Sequence, residues 1–414
     1  MPYMKCITIF MRAIALICVV CGMTSCSDYD LGDALQSDKY TMRYLDSKGE
    51  ALPDFADFEA ETKEFTRLIN ENVAPSGAAS IGVFDSTGCY VGRVGLGNLK
   101  HDYGTKLYSF GMMSDVHIGQ DNSEENLNNS LEFFRNYGVR FVGCLGDIAT
   151  YSNHLYALQT YDKYRKTYSD LTLYTCVGNH ENNEVSEVSP FGIMTLDAWQ
   201  TYTGMDEKNM KFDIEAGGET HHVIVFSCVN NDGPSGDRLA GYYVDETLDW
   251  LESAIESCGD DKVFVFMHVP FPDKCNWGFN YSTRRILNNK NTTYTHELDR
   301  LRALVASHRN SVWFMGHTHE PWEQQGIAYT NTENATKFYE RGDITAEQMD
   351  KGNNYDANVA PSNCVDRAEG WCVHLPANYQ GGFAVVDVYK DCIIVKGLTD
   401  GKYIPIAQYK LGME

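Results

Sequence analysis

The sequence VWFMGHTHE, residues 312–320, places two histidines directly after a run of apolar residues. Such a run is typical of a buried strand, and Gly316 favours a sharp exit from it. By itself the pair His317 and His319 has two interpretations, a solvated loop or part of a ligand set. The remaining strands of the chain decide between them.

Four other apolar runs end in the same way. Residues 106–117, 139–147, 171–180 and 262–270 finish with side chains rich in nitrogen and oxygen donors: Asp115, His117, Asp147, Asn179, His180 and His268. The runs alternate with helical patterns such as SEENLNNSLEFFRNYG, residues 123–138, which predicts an α/β sheet buried between helices. The carboxyl ends of strands in such a sheet converge on one crevice, so we expect these side chains to share a pocket.

The last two apolar runs have a different character. GFAVVDVY, residues 382–389, and CIIVKGL, residues 392–398, are separated by two residues. This pattern predicts an antiparallel hairpin at the end of the sheet.

The motifs D-x-H, GD, GNH, H and GH-x-H occur in this order over residues 108–398 and resemble those of the calcineurin-like metallophosphoesterase superfamily. The resemblance implies an α/β fold with four layers, an α/β/β/α sandwich. It also implies a dinuclear metal-dependent phosphoesterase that hydrolyses a phosphomonoester or a phosphodiester through attack by a metal-bridging hydroxide.

The resemblance also implies a role for each matched residue. Asp115, His117 and His319 would bind one metal, Asn179, His268 and His317 the other, and Asp147 would bridge the two. Four imidazoles, two carboxylates and an amide suit Mn, Zn or Fe better than Ca or Mg. We therefore expect two divalent or trivalent metal ions as cofactors, and the residues do not distinguish between the three elements.

His180 matches the family residue that contacts phosphate and protonates the leaving group, so we expect it to be catalytic. Well-known members of the family carry an aspartate three residues after the bridging one, whereas this chain has Thr150. The role of His180 as a general acid is therefore open.

Three further residues are candidates for substrate contacts. His374 follows the long polar connection 320–370, and Arg284 and Arg285 lie in an insert, residues 271–297, that is rich in Asn and aromatic residues. A guanidinium pair is suited to a second phosphate or an aromatic ring. All three positions are also compatible with a solvated surface.

The N-terminal residues predict export. Lys5 and Arg12 accompany an apolar stretch, residues 13–23, that is too short to span a bilayer, so residues 1–25 are expected to be a signal peptide. MTSC, residues 23–26, resembles a lipoprotein cleavage site with Cys26 as the lipidated residue, although a plain signal or an uncleaved anchor is an alternative. The expected location is the bacterial cell envelope, with the lipid in the outer membrane and the protein periplasmic or surface-exposed.

Three segments are expected after the signal. Residues 26–50 are interpreted as an acidic tether, residues 51–107 as a small α+β appendage and residues 108–410 as the phosphoesterase domain. Residues 54–73 have helical periodicity, and residues 80–96 predict two strands around the turn DSTG. No chemistry is assigned to the appendage.

The charge of the chain limits its partners. A formal net charge of −23 repels nucleic acid and anionic lipid. The expected partner is a small phosphoester, with membrane contact through the N-terminal lipid only. The alternative function is a non-catalytic surface lipoprotein that binds metal or ligand on the same scaffold.

Overall fold

The structure is a computed structural model. The chain forms two compact units. The first comprises residues 1–103 and 402–410, and the second comprises residues 104–401 and 411–414. The described residues are 39–61, 77–84, 90–95, 103–150, 154–181, 196–227, 245–269, 295–317, 319, 322 and 370–413.

The first unit contains a four-stranded antiparallel sheet in the order β2-β1-β3-β4. The strands are β1 (Lys39–Leu45), β2 (Phe58–Glu61), β3 (Ser80–Phe84) and β4 (Tyr90–Gly95). The hairpin predicted over residues 80–96 is confirmed, because β3 and β4 pair antiparallel.

Two predictions for this unit are wrong. Lys39–Leu45 is a strand within the range interpreted as a tether; Tyr40, Met42 and Tyr44 are all buried, which is the period-two pattern of a strand. Phe58–Glu61 is a strand where the periodicity predicted a helix, because its backbone pairs with β1. The rest of that predicted helix, and all of residues 1–38, lie outside the described residues.

The second unit contains two sheets. The six-stranded sheet has the order β15-β14-β13-β5-β6-β7 and the five-stranded sheet the order β12-β11-β10-β9-β8. Their strands are β5 (Tyr108–Met113), β6 (Val142–Cys144), β7 (Leu173–Thr175), β8 (Met210–Ala216), β9 (Glu219–Phe226), β10 (Lys262–Met267), β11 (Ser311–Met315), β12 (Trp371–His374), β13 (Gly382–Val388), β14 (Cys392–Thr399) and β15 (Lys402–Gly412), the last divided between the two units.

Parallel pairing brings the site-bearing strands together. β5, β6 and β7 pair parallel, as do β9, β10, β11 and β12. The predicted terminal hairpin is confirmed, since β13 pairs antiparallel with β14.

In the chain, the helices lie between the strands. They are α1 (Ser123–Tyr137), α2 (His154–Thr167), α3 (Leu196–Thr203), α4 (Asp245–Glu256) and α5 (Thr295–Ser307). Gly138, with a φ of 77°, ends α1 and returns its N–H to the carbonyls of Phe134 and Arg135. In the described part of the chain, no helix has the length and apolar character needed to cross a membrane.

Successive side chains of a strand pack against different layers. Phe110 of β5 packs against Phe264 and Phe266 of the other sheet, with ring centroids 5.1 Å and 6.0 Å away. The next residue, Gly111, faces α1, because a Cβ there would lie 2.7 Å from the ring of Phe134. The opposite face of β10 packs against α4 and α5 in a cluster that includes Val263, Val265, Met267, Leu248, Leu251, Leu301 and Val305. The predicted four-layer α/β/β/α arrangement is confirmed.

Candidate metal centre

The residues after three strands, β5, β6 and β11, have an unusual backbone. Seven described non-glycine residues have positive φ, and five of them are predicted metal ligands: Asp115 (53°), His117 (45°), Asp147 (53°), His317 (77°) and His319 (62°). This conformation costs an L-residue about 1–2 kcal/mol. Concentration of unfavourable backbone at five neighbouring positions is typical of a functional site.

Two glycines allow the loops to approach one another. A Cβ on Gly316 would lie 1.8 Å from Ser114 Oγ, and one on Gly178 would lie 2.1 Å from Asp147 Oδ1. Any side chain at either position would displace the carboxylate that follows β5 or β6. These glycines are therefore required by close packing within the site.

Each carboxylate uses one oxygen for structure. Asp115 Oδ2 accepts hydrogen bonds from Ser114 Oγ at 2.6 Å and from the His317 N–H at 2.8 Å. Asp147 Oδ1 accepts one from the His180 N–H at 2.9 Å. Among the described residues, the second oxygens, Asp115 Oδ1 and Asp147 Oδ2, are buried and accept no hydrogen bond. A buried anionic oxygen without a donor is costly unless a cation neutralises it.

Two imidazoles are oriented by backbone carbonyls. His117 Nδ1 lies 3.1 Å from the carbonyl oxygen of Ala149, and His268 Nδ1 lies 2.9 Å from that of Leu145. A carbonyl only accepts, so Nδ1 carries the proton and Nε2 keeps its lone pair in the neutral ring. This is the usual arrangement of a metal-binding histidine.

The Nε2 atoms of His117, His268 and His319 face the other donor atoms of the site. His117 Nε2 lies 3.0 Å from His319 Nε2, which is 3.0 Å from Asp115 Oδ1. His268 Nε2 lies 3.1 Å from Asp147 Oδ2 and 2.9 Å from Asn179 Oδ1. Donor atoms from five separate strand ends therefore face one another.

These donors form two groups that share one residue. Asp115, His117, Asp147 and His319 form the first group, and Asp147, His268 and His317 form the second; within each, the ligand atoms lie within 4.8 Å of one another. Asn179 adds its oxygen beside His268. All seven residues predicted as ligands are thus brought together, and the nitrogen and carboxylate donors fit a pair of transition-metal ions.

Burial and neighbouring charges set the protonation of the donors. Burial raises the pKa of a carboxyl group, but at Asp115 and Asp147 the surrounding imidazoles outweigh it and hold the pKa well below its usual range. Burial lowers the pKa of His268, yet the two carboxylates raise it to about 9. Burial, and then the charge of His268, lower the pKa of His317 to about 3. An incoming metal ion must therefore displace a proton from His268.

His180 lies at the edge of this cluster. Its Nε2 is 3.7 Å from Asp147 Oδ2, its ring contacts that of His117 at 4.6 Å, and its side chain is 13% exposed. Burial lowers its pKa to about 3, so the ring is neutral near pH 7.

The other predicted contacts have different outcomes. His374 is buried, and its Nε2 donates to the carbonyl oxygen of Gly316 at 2.6 Å, which favours a role in holding the turn before His317 over the predicted contact with substrate. Burial lowers its pKa to about 4. Arg284, Arg285 and the predicted lipidation site Cys26 lie outside the described residues.

Two residues at the site were missed by the sequence interpretation. The buried carboxylate of Glu181 accepts hydrogen bonds from the N–H groups of Asp147 (2.8 Å), Gly178 (2.9 Å) and Ala149 (3.0 Å). Burial and the charge of Asp147 raise its pKa to about 7. Its position directly after His180 was the available signal. Tyr379, which contacts His117 and His319, carries no such signal.

The family of the chain is shown by comparison with a family model. Residues 108–321 match the family model described as calcineurin-like phosphoesterase, which is just over half of the chain. The chain therefore belongs to the calcineurin-like phosphoesterase family. None of the curated protein sequences matches it.

Solved structures resemble the chain at low identity. A dimetal phosphatase from Danio rerio is 14% identical over 75% of this chain and 100% of its own, with a TM-score of 0.46. PhoD is 11% identical over 87% and 79%, with a TM-score of 0.41. A purple acid phosphatase from yellow lupin (Lupinus luteus) seeds is 8% identical over 90% and 69%, with a TM-score of 0.42. The assignment rests on the family match and not on these likenesses.

Proposed function

We propose that this protein is a dinuclear metal-dependent phosphoester hydrolase. The observation that carries the proposal is the pair of donor groups that share Asp147, each with a buried carboxylate oxygen that accepts no hydrogen bond from the described residues. Membership of a phosphoesterase family supports hydrolysis as the reaction. The donor chemistry favours Mn, Zn or Fe.

Seven residues of the site would hold the metal ions, and His180 would contact the substrate. Asp115, His117 and His319 would hold one ion, Asn179, His268 and His317 the other, with Asp147 between them. When bound, two such ions supply positive charge for phosphate oxygens and acidify water for attack on phosphorus. His180 has a neutral ring, so a hydrogen bond to phosphate is favoured over proton donation to the leaving group.

The substrate we propose is a small phosphomonoester or phosphodiester. The net charge of −23 opposes the approach of a polyanion such as nucleic acid, whereas the ions create a local positive field. Arg284, Arg285 and the aromatic insert 271–297 are candidates for binding the organic group beside the phosphate.

Metal analysis and a phosphoester panel test this function. The purified protein should carry two metal ions per chain and hydrolyse p-nitrophenyl phosphate or bis(p-nitrophenyl) phosphate. The variants Asp147→Asn and His268→Ala should lose both the second ion and at least a hundredfold of activity, since each removes a ligand. Glu215→Gln, at an exposed position of β8, serves as the control.

One outcome would favour a different class of protein. Full occupancy by metal without turnover of nucleotides, phospholipid headgroups, sugar phosphates or the nitrophenyl esters would indicate a metal-dependent binding protein. Absence of metal from protein purified and refolded with Mn, Zn or Fe would reject both interpretations.

We also propose that the protein is a lipoprotein of the bacterial cell envelope, anchored in the outer membrane through Cys26. The apolar stretch 13–23 followed by MTSC supports this location. Metabolic labelling with palmitate should mark the wild type and not Cys26→Ser, and the variant should leave the membrane fraction. Equal labelling of the two proteins would contradict the anchor.

A further inference from the structure

Helix α2, His154–Thr167, contacts both β7 and the loop that follows this strand. His154, Leu158 and Tyr161 are all buried, and their spacing in the sequence places them on the same side of the helix. The hydroxyl of Tyr161 lies 3.0 Å from that of Thr175, the last residue of β7. The first residue of the helix, His154, lies beside the loop that carries the site residues after β7.

His154 holds the backbone of His180. Its Nε2 lies 3.1 Å from the carbonyl oxygen of His180. A carbonyl only accepts, so Nε2 is the donor, whether the ring of His154 is neutral or charged. The other side of the same residue is fixed as well, because the His180 N–H donates to Asp147 Oδ1 at 2.9 Å. Two hydrogen bonds, one on each side of the Cα atom, therefore fix the backbone of His180.

The side chain of His180 extends from this backbone toward the donors. Its Nε2 is 3.7 Å from Asp147 Oδ2, and its ring contacts that of His117 with centroids 4.6 Å apart. A displacement of about 1 Å in a group that contacts substrate can lower activity about a hundredfold. The place of the imidazole therefore depends on the hydrogen bonds that hold its backbone.

We propose that His154 is a positioning residue, whose hydrogen bond to the carbonyl oxygen of His180 sets the place of the His180 imidazole for contact with phosphate. The inference rests on the proposed function, because it assumes that His180 contacts phosphate. His154 is buried, so solvent competes little for this bond.

Two substitutions separate the hydrogen bond from the bulk of the side chain. His154→Leu keeps a similar volume and removes the donor, whereas His154→Gln keeps an N–H donor close to the position of Nε2. With protein loaded with Mn, calorimetric titration with inorganic phosphate should give a dissociation constant raised about three- to tenfold in His154→Leu. The value of kcat/KM on the nitrophenyl esters should fall by a similar factor, and His154→Gln should recover most of both losses. If His154→Leu does not fold, His154→Ala replaces it, since Ala is the residue most favourable to a helix.

The His180→Ala background distinguishes positioning from a purely structural role. If His154 acts through His180, His154→Leu should change phosphate affinity less than about twofold in His180→Ala, because the side chain that it positions is absent. The content of two metal ions per chain should be the same in the single and double variants.

His308 provides the matched control. It is also a buried histidine of this unit, and its Nε2 donates to a backbone carbonyl oxygen, that of Asp261, at 2.9 Å. Asp261 precedes β10, whereas the predicted ligand His268 follows the end of that strand. His308→Leu should therefore leave phosphate affinity and kcat/KM at their wild-type values.

The competing interpretation is that His154 only stabilises the fold. His154→Leu would then lower the Tm and leave phosphate affinity unchanged, or it would change phosphate affinity by the same factor with and without the His180 side chain. Either result would overturn the proposal. A loss of phosphate affinity that excess metal reverses would overturn it too, because His154 would then act through the metal ligands.

The two proposals fail separately in this design. A wild type that hydrolyses esters, with a His154→Leu variant of equal activity and phosphate affinity, removes the inference and leaves the function. A wild type that hydrolyses no ester, but binds phosphate more tightly than His154→Leu only when His180 is present, removes the function and leaves the positioning role. A wild type that neither binds phosphate nor hydrolyses any ester removes both.

Discussion

Glu181 shows how one residue joins two loops of the centre without belonging to either donor group. One of its oxygens accepts from the N–H groups of Asp147 and Gly178, and the other accepts from that of Ala149. These donors belong to the loops that follow β6 and β7. A single carboxylate therefore sets the relative position of Asp147, which both donor groups share, and of Asn179.

Replacement of Glu181 by Gln is expected to weaken metal binding. The amide keeps one acceptor oxygen but turns an N–H₂ group toward a backbone N–H, so at least one of the three bonds is lost. Loss of a group that orients metal ligands typically lowers metal affinity about 10- to 100-fold. Competition with a chelating dye measures the affinity of each site.

Glu215→Gln is the matched control, because it makes the same change at an exposed position of β8. Equal metal affinity in Glu181→Gln, Glu215→Gln and the wild type would show that the backbone of Asp147 keeps its place without the carboxylate.

At the scale of the elements, the site depends on short strands and abrupt exits. β6 and β7 have three residues each, and both are followed within a few residues by a ligand. Parallel pairing in both sheets brings these ends to one edge. The exits turn sharply through the positive φ of Asp115, Asp147 and His317 and through Gly178 and Gly316, where no Cβ fits.

The layers hold those exits in place. Phe110 of β5 packs between the sheets, whereas Gly111 admits the ring of Phe134 from α1. The sheet thus makes close contact on both faces immediately before the residues that lead to Asp115. Interiors packed in this way have low compressibility, so the residues at the strand ends hold the donor side chains in fixed positions.

At the scale of the whole molecule, the buried carboxylates predict a stability that depends on metal. Chelation leaves Asp115 Oδ1 and Asp147 Oδ2 without a metal ion and keeps the unfavourable backbone at five positions. An ion present at 100 times its dissociation constant stabilises the folded state by about 2.7 kcal/mol. We expect EDTA to lower the Tm of the unit 104–401 by roughly 5 °C or more, since about 1 kcal/mol corresponds to 2–4 °C in domains of 150–250 residues.

Differential scanning calorimetry checks this expectation, and Asp147→Asn provides the control. The variant lacks the shared ligand, so its Tm should respond less to EDTA and to added Mn or Zn. A wild-type Tm that is the same with EDTA and with excess metal would contradict a metal centre that stabilises the fold.

The sequence by itself determined the α/β class, the terminal hairpin and the candidate donors, because these depend on signals local to each segment. An apolar run that ends in Asp, Asn or His can be recognised without its neighbours, and five such runs in a known order indicate the family. Tertiary structure alone decided the positions of Glu181, Tyr379 and His374 beside the donors, the strand at Lys39–Leu45 and the return of Lys402–Lys410 to the first unit. Those features arise from contacts between residues far apart in the chain: the N–H of His317 reaches Asp115 across 202 positions. Only the folded backbone determines which donor meets which acceptor over such a separation.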